Sequence, residues 1–170
     1  LKSVSLSANW MWPANNDSEN HRLYQAVEAC ADFSINLGIN IPTGKDSMSM
    51  KQKYKDKEVL SPGTVIISAV GHTEDIDKII QPFIYNDSGF IYKIDFSSDS
   101  LKLGGSALYQ SQNKIGATAP DIKDSEYFKK AFNTIQKCIK SNIIFSGHDI
   151  SSGGLIVTLI EMCLASDNYG

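Results

Sequence analysis

A helical stripe that ends on a glycine is the strongest constraint on what this chain can fold into. Leu23, Ala26, Val27, Cys30, Ala31 and Phe33 recur at helical spacing across residues 19–37. Gly38 follows, at the position where helices commonly close in the left-handed conformation. The turn-rich residues 13–18 precede the stripe, with Asp17 or Ser18 placed to cap it. Strand-like stretches flank it, at residues 4–12 and 39–42. Residues 51–58 read as a charged, hairpin-like excursion. TVIISAV at residues 64–70 and FIYKIDF at residues 90–96 read as strands. Residues 126–141 read as an amphipathic helix with Phe128, Ala131, Phe132, Ile135 and Ile139 on one face. A short strand is expected at residues 143–145 and a buried helix at residues 155–165. This mixture predicts an α+β (mixed α/β) class, with strands too few and irregular for a complete doubly wound sheet. A composition shift across residues 74–89 predicts two lobes, residues 1–80 and 81–170.

Composition narrows the function classes. The 170 residues are 42% hydrophobic and 21% charged, a globular balance. A formal net charge of −3 gives no reason to expect nucleic acid or an anionic membrane as partner. No apolar run reaches the roughly 20 residues of a membrane span. Cys30, Cys138 and Cys163 are odd in number, lie in apolar helical stretches and form no paired motif, which points to reduced thiols and a cytoplasmic protein. None has the surroundings of a catalytic nucleophile. The chain opens on Leu1 and stops just after an apparent helix, which reads as a piece of a longer protein.

Three segments can carry chemistry. In residues 146–154 a polar, glycine-rich turn leads into a helix. The first N–H groups of a helix lack intrahelical partners and favour anions. Gly153 and Gly154 permit close backbone approach, and Ser151 or Ser152 can cap the helix or donate to phosphate. Asp149 repels phosphate directly but suits a phosphate-bound Mg²⁺, and His148 can orient Asp149 or pack. The plainer alternative is a capped helix start; the spacing matches neither a Walker A loop nor a dinucleotide fingerprint. Lys45, Asp46 and Ser47 offer a cation, a carboxylate and a hydroxyl to a phosphorylated substrate, or form a turn before an edge strand. Gly104, Gly105 and Ser106 offer either a close approach to a ligand or a tight turn. Asp95 interrupts an apolar strand, as a strand-end or functional carboxylate. Trp10 and Trp12 are expected to pack, and His21 and His72 to lie at the surface or between lobes.

Four runs in order carry a resemblance: LSANWM at residues 6–11, IPTGKDSMSM at residues 41–50, LGGSAL at residues 103–108, and HDISSGGL at residues 148–155. Together they resemble the phosphoribosylformylglycinamidine synthase family in its large single-chain form. GKDSMSM is the most specific of them. It separates the chain from aminoimidazole ribonucleotide synthetase and thiamine-monophosphate kinase, which share the fold.

The resemblance implies an ATP-dependent ligase that activates a formamide oxygen as an iminophosphate for attack by ammonia. It also implies a duplicated synthase core with an N-lobe and a C-lobe in each half. This chain corresponds to the end of the second N-lobe and the start of the second C-lobe. The implied partners are the rest of the same synthase chain, namely the first-half lobes and the glutaminase domain. Exposed N-lobe strands are a further route to dimers. The implied bound groups are ATP or ADP with Mg²⁺. Asp149 corresponds to the Mg²⁺ ligand and Ser151 to the nucleotide contact, at a site that is auxiliary and structural in the large form. Some members carry an acidic residue where Ser152 stands, and this chain departs from them there. Other Mg²⁺ ligands are expected before Leu1, so the isolated chain is expected to be inactive.

Overall fold

Strand β1 (Ser5–Met11) pairs along both edges, and the first unit is built on it. The computed structural model describes residue 1, residues 3–85 and residues 89–166. Its contacts divide the chain into two units, Leu1–Thr73 and Glu74–Gly170. Helices and sheets are both present, and the class is α+β.

In the first unit β1 leads into helix α1 (Asp17–Leu37), which leads into β2 (Asn40–Ser47), parallel to β1. A parallel return needs such a crossover, because a hairpin can only join antiparallel strands. Helix α1 begins after Asn16, not at an Asp17 or Ser18 cap. The Asn16 Oδ1 accepts from Ser18 Oγ at 2.8 Å, and Asn16 makes no side-chain cap to the backbone. At the other end Gly38 takes φ 72°, and the N–H groups of Gly38 and Ile39 close on Ile35 O and Ser34 O at 3.0 Å. The Trp12 indole is 5% exposed, and its Nε1–H donates to Glu19 O at 3.0 Å, tying the strand end to the first turn of α1.

Strand β2 runs farther than residues 39–42, straight through Pro42 and Gly44. Among the described residues it is an edge strand, where a missing proline N–H leaves no ladder bond unmade. Gly44 lies opposite Ala8, and a Cβ there would sit 2.2 Å from the Ala8 carbonyl oxygen. Strand β5 (Thr64–Val70) pairs antiparallel on the other side of β1. Strands β3 (Lys51–Lys53) and β4 (Glu58–Leu60) form the charged hairpin. Its Lys51–Glu58 and Lys53–Glu58 pairs, at 3.3 and 3.8 Å, are exposed and contribute little.

The second unit is mostly helix and irregular chain. Asp75 accepts from Asp77 N at 3.0 Å and starts a 3-10 turn (Ile76–Lys78). Helix α2 (Ala107–Ser111) begins directly after Ser106. Helix α3 (Ser125–Lys140) is capped by Asp124, which accepts from Tyr127 N at 2.9 Å. Its apolar face meets residue 96, with the Phe96 and Phe128 rings 5.2 Å apart. Helix α4 (Gly154–Leu164) closes the described part.

Three expectations fail here. Residues 90–96 form no strand: Phe90, Ile91 and Tyr92 are 88%, 71% and 78% exposed. β-propensity measures fit to a pleated, half-covered surface, and no described residue supplies this segment with a ladder. Residues 143–145 likewise form no strand; a single parallel bridge joins Gln81 to Ser146. Helix α4 is not buried. Ile156 and Leu164 are 73% and 74% exposed, and only Thr158 is fully buried. Its apolar sequence suits a covered position, and the described residues cover it only in part.

Gly44→Ala should cost about 1–3 kcal/mol, as an overpacking substitution against rigid backbone. Gly71→Ala, whose Cβ would meet nothing closer than 3.7 Å, should stay within about 0.5 kcal/mol. Urea unfolding of the two variants checks the difference.

Candidate functional site

The turn before α4 folds back onto the helix it introduces. Gly153 and Gly154 have φ of 99° and 80°, a region open to glycine and costly for other residues. A Cβ on Gly153 would lie 2.7 Å from Val157 Cγ2, whereas one on Gly154 would meet nothing within 4 Å. The Ser151 N–H donates to Thr158 Oγ1 at 3.2 Å, and Ser151 Oγ donates to Glu161 Oε2 at 3.2 Å. Ser151 is therefore held by α4 and does not act as its N-cap. Ser152 is exposed.

His148 and Asp149 stand one step earlier. A carbonyl can only accept, so His148 Nδ1 carries the proton and donates to Asp149 O at 2.6 Å. The same nitrogen lies 3.3 Å from Asp149 Oδ1. The Asp149 side chain is 92% exposed. Among the described residues no group of three His, Cys, Asp or Glu side chains could hold a metal ion. The turn therefore fits phosphate in one respect, the open backbone over Gly154 at the start of an 11-residue helix. Toward Mg²⁺ it supplies one exposed carboxylate, which is enough only when substrate phosphates or other residues complete the shell.

The other two candidate segments are already engaged in local structure. The Gly104 N–H donates to Thr118 O at 2.9 Å, Gly105 N–H to Ile115 O at 2.6 Å, and Ser106 N–H to Leu103 O at 3.0 Å. A Cβ on Gly104 would lie 2.3 Å from Thr118 O. Ser106 Oγ caps α2 by accepting from Tyr109 N at 3.3 Å. No hydrogen bond among those described joins Gly104, Gly105 or Ser106 to residues 149–154. Lys45, Asp46 and Ser47 lie in β2 of the first unit, where Lys45 Nζ donates to Ser47 Oγ. With Trp10, Ile41 and Thr43, Lys45 and Asp46 border an open hollow of about 370 Å³.

Two family models match the chain in order. One, described as FGAR-AT PurM_N-like domain, matches residues 1–72; the other, AIR synthase related protein, C-terminal domain, matches residues 96–168. A probable phosphoribosylformylglycinamidine synthase of Arabidopsis thaliana, designated chloroplastic/mitochondrial, is 39% identical over 98% of this chain. The chain belongs to the phosphoribosylformylglycinamidine synthase family. It spans 12% of the length of that relative. None of the described helices is long and apolar enough to cross a membrane.

Thr158 and Glu161 were missed as site residues. The available signal was their polarity within the otherwise apolar run LIVTLIEMCL. Asp95, singled out in the sequence, forms a local turn: its Oδ1 accepts from Ser97 Oγ at 2.6 Å and from Ser97 N at 2.8 Å. Tyr127 Oη–H donates to Asp95 O at 2.9 Å, fixing the turn to α3.

The Ser97 hydroxyl, and after it the Ser97 N–H, hold the Asp95 carboxyl below its ordinary range. A depressed carboxylate stabilises the fold above its unfolded pKa, and that contribution is lost as pH falls through the folded value. Ser97→Ala should therefore raise the Asp95 pKa and move the acid loss of stability to higher pH. Carboxyl NMR titration of both forms reads the shift directly.

Proposed function

We infer that this chain is part of an enzyme that converts formylglycinamide ribonucleotide, glutamine and ATP to formylglycinamidine ribonucleotide in purine biosynthesis. The observation that carries this is the match in order across both units: an FGAR-AT-type N-terminal model, then an AIR-synthase-type C-terminal model. The chain lies in the second half of the synthase core, and its partners are the remaining lobes and the glutaminase domain of the same protein. Reduced thiols at Cys30, Cys138 and Cys163 suit the cytoplasm.

Within this reading the turn at residues 146–154 holds ATP or ADP with Mg²⁺. When bound, the nucleotide brings phosphate charge and a divalent cation to a turn whose own carboxylate is that of Asp149, with Glu161 of α4 beside Ser151. The chain's own residues bind and orient. The Gly154 N–H is bonded to Ser151 O at 3.1 Å, so the N–H groups of α4 that face the phosphates are those after it, while Gly154, without a Cβ, leaves the approach clear and Ser151 reaches a phosphate oxygen. Asp149 takes one position on the cation, and His148 holds the Asp149 backbone. The role is structural, as the family resemblance implies for the second-half site. Lys45 and Asp46 border a hollow that suits a small phosphorylated ligand, and Ser47 holds the Lys45 ammonium from beside it. Gly104, Gly105 and Ser106 serve a ligand only by supporting the chain around it, because their N–H groups are already bonded.

Asp149→Ala in the full-length protein tests the structural role. A nucleotide present at about a hundred times its Kd stabilises its site by about 2.7 kcal/mol. The variant should melt at a lower temperature with turnover per folded molecule nearly unchanged. Lost turnover at an unchanged melting temperature would assign Asp149 to catalysis.

The isolated chain should self-associate through the free edge of β5. Its TVIISAV sequence has no Lys or Pro to block pairing, and Ile66 and Val70 are 51% and 70% exposed. Sedimentation velocity should show concentration-dependent dimers that Ile66→Lys weakens. A monomer across the whole concentration range would count against this route.

A further inference from the structure

Helix α4 carries two side chains able to form strong hydrogen bonds, Thr158 and Glu161, and both go to Ser151. Thr158 is 3% exposed, so its hydroxyl is committed inside the unit, where Ser151 Oγ also lies 3.5 Å away. As a result both donors of Ser151, its N–H and its O–H, turn inward toward the helix. An ionised carboxylate only accepts, so the single hydroxyl proton of Ser151 belongs to Glu161 in this arrangement. A phosphate oxygen also only accepts. It can bind the Ser151 hydroxyl only by taking the same proton, and it must approach against the Glu161 charge.

We propose that Glu161 is a positioning residue that competes with nucleotide phosphate for the Ser151 hydroxyl and thereby sets the affinity of this turn. The inference rests on the nucleotide reading of the turn given above and deepens it. Glu161 holds Ser151 against α4 while no phosphate is present. Binding swings the hydroxyl outward and leaves the carboxylate to solvent, which Glu161 can reach because it is exposed. Thr158 keeps the Ser151 backbone in place during that exchange, so the loop carrying Asp149 does not have to refold.

The test is equilibrium dialysis of ADP with Mg²⁺ against the full-length protein and its variants. The component of binding lost in Ser151→Ala is the one that belongs to this turn. Glu161→Leu should tighten that component by about tenfold, the effect of removing one charge-assisted competitor. A supporting role alone predicts the opposite sign, so weaker or unchanged binding in a folded Glu161→Leu protein overturns the proposal. Should that variant fail to fold, Glu161→Gln decides, with tightening in the same direction but smaller, because a neutral amide oxygen is the weaker acceptor. If Ser151→Ala and Asp149→Ala both leave ADP binding untouched, the nucleotide reading itself is wrong and the proposal falls with it.

Discussion

The backbone contact between Gly44 and Ala8 governs the first unit. Strand β1 is paired on both edges, and its parallel side depends on β2 lying close enough that no Cβ fits at residue 44. Everything else in the unit is arranged around that pairing. Helix α1 supplies the crossover a parallel neighbour requires, Gly38 turns the chain back, and Trp12 locks the end of β1 to the start of α1. The buried apolar side chains are few, Ala8, Trp12 and Leu37 among them, so the unit relies on ladder bonds and this one anchor more than on a large core.

The second unit follows a different rule. Its local structures are complete: capped helices, the Asp95 turn, and a glycine-bearing loop closed by backbone bonds to residues 115 and 118. Its apolar surfaces remain uncovered. Phe90, Ile91 and Tyr92 stand in solvent, as do Leu155, Ile156, Ile160 and Leu164 of α4. A sequence this apolar in exposed positions suits a chain that buries them against further protein.

Legibility in the sequence depended on the range of the interaction. Helices α1 and α3 were readable because their apolar period, and in α1 the closing Gly38, are local properties. TVIISAV and FIYKIDF have equal claims to be strands by composition, yet only the first pairs, because a strand exists by virtue of a neighbour. Strand β2 was readable only at residues 39–42, and it runs on to Ser47 because an edge position tolerates Pro42. For the candidate site, glycine content and polarity marked residues 146–154, and family resemblance singled out Asp149 and Ser151. The roles of Thr158 and Glu161 were not readable, because neither has a motif and their importance lies in what they touch.

The turn itself divides the two kinds of information. By sequence alone this protein is a family member with a polar, glycine-rich loop leading into an apolar helix, since residue type and order determine membership and local backbone freedom. Tertiary structure decided which way Ser151 points. That direction comes from side chains seven and ten residues farther along, brought within 3.2 Å because the loop folds back onto the helix it introduces. A hydrogen bond depends on position and angle, and neither is written in the order of the residues.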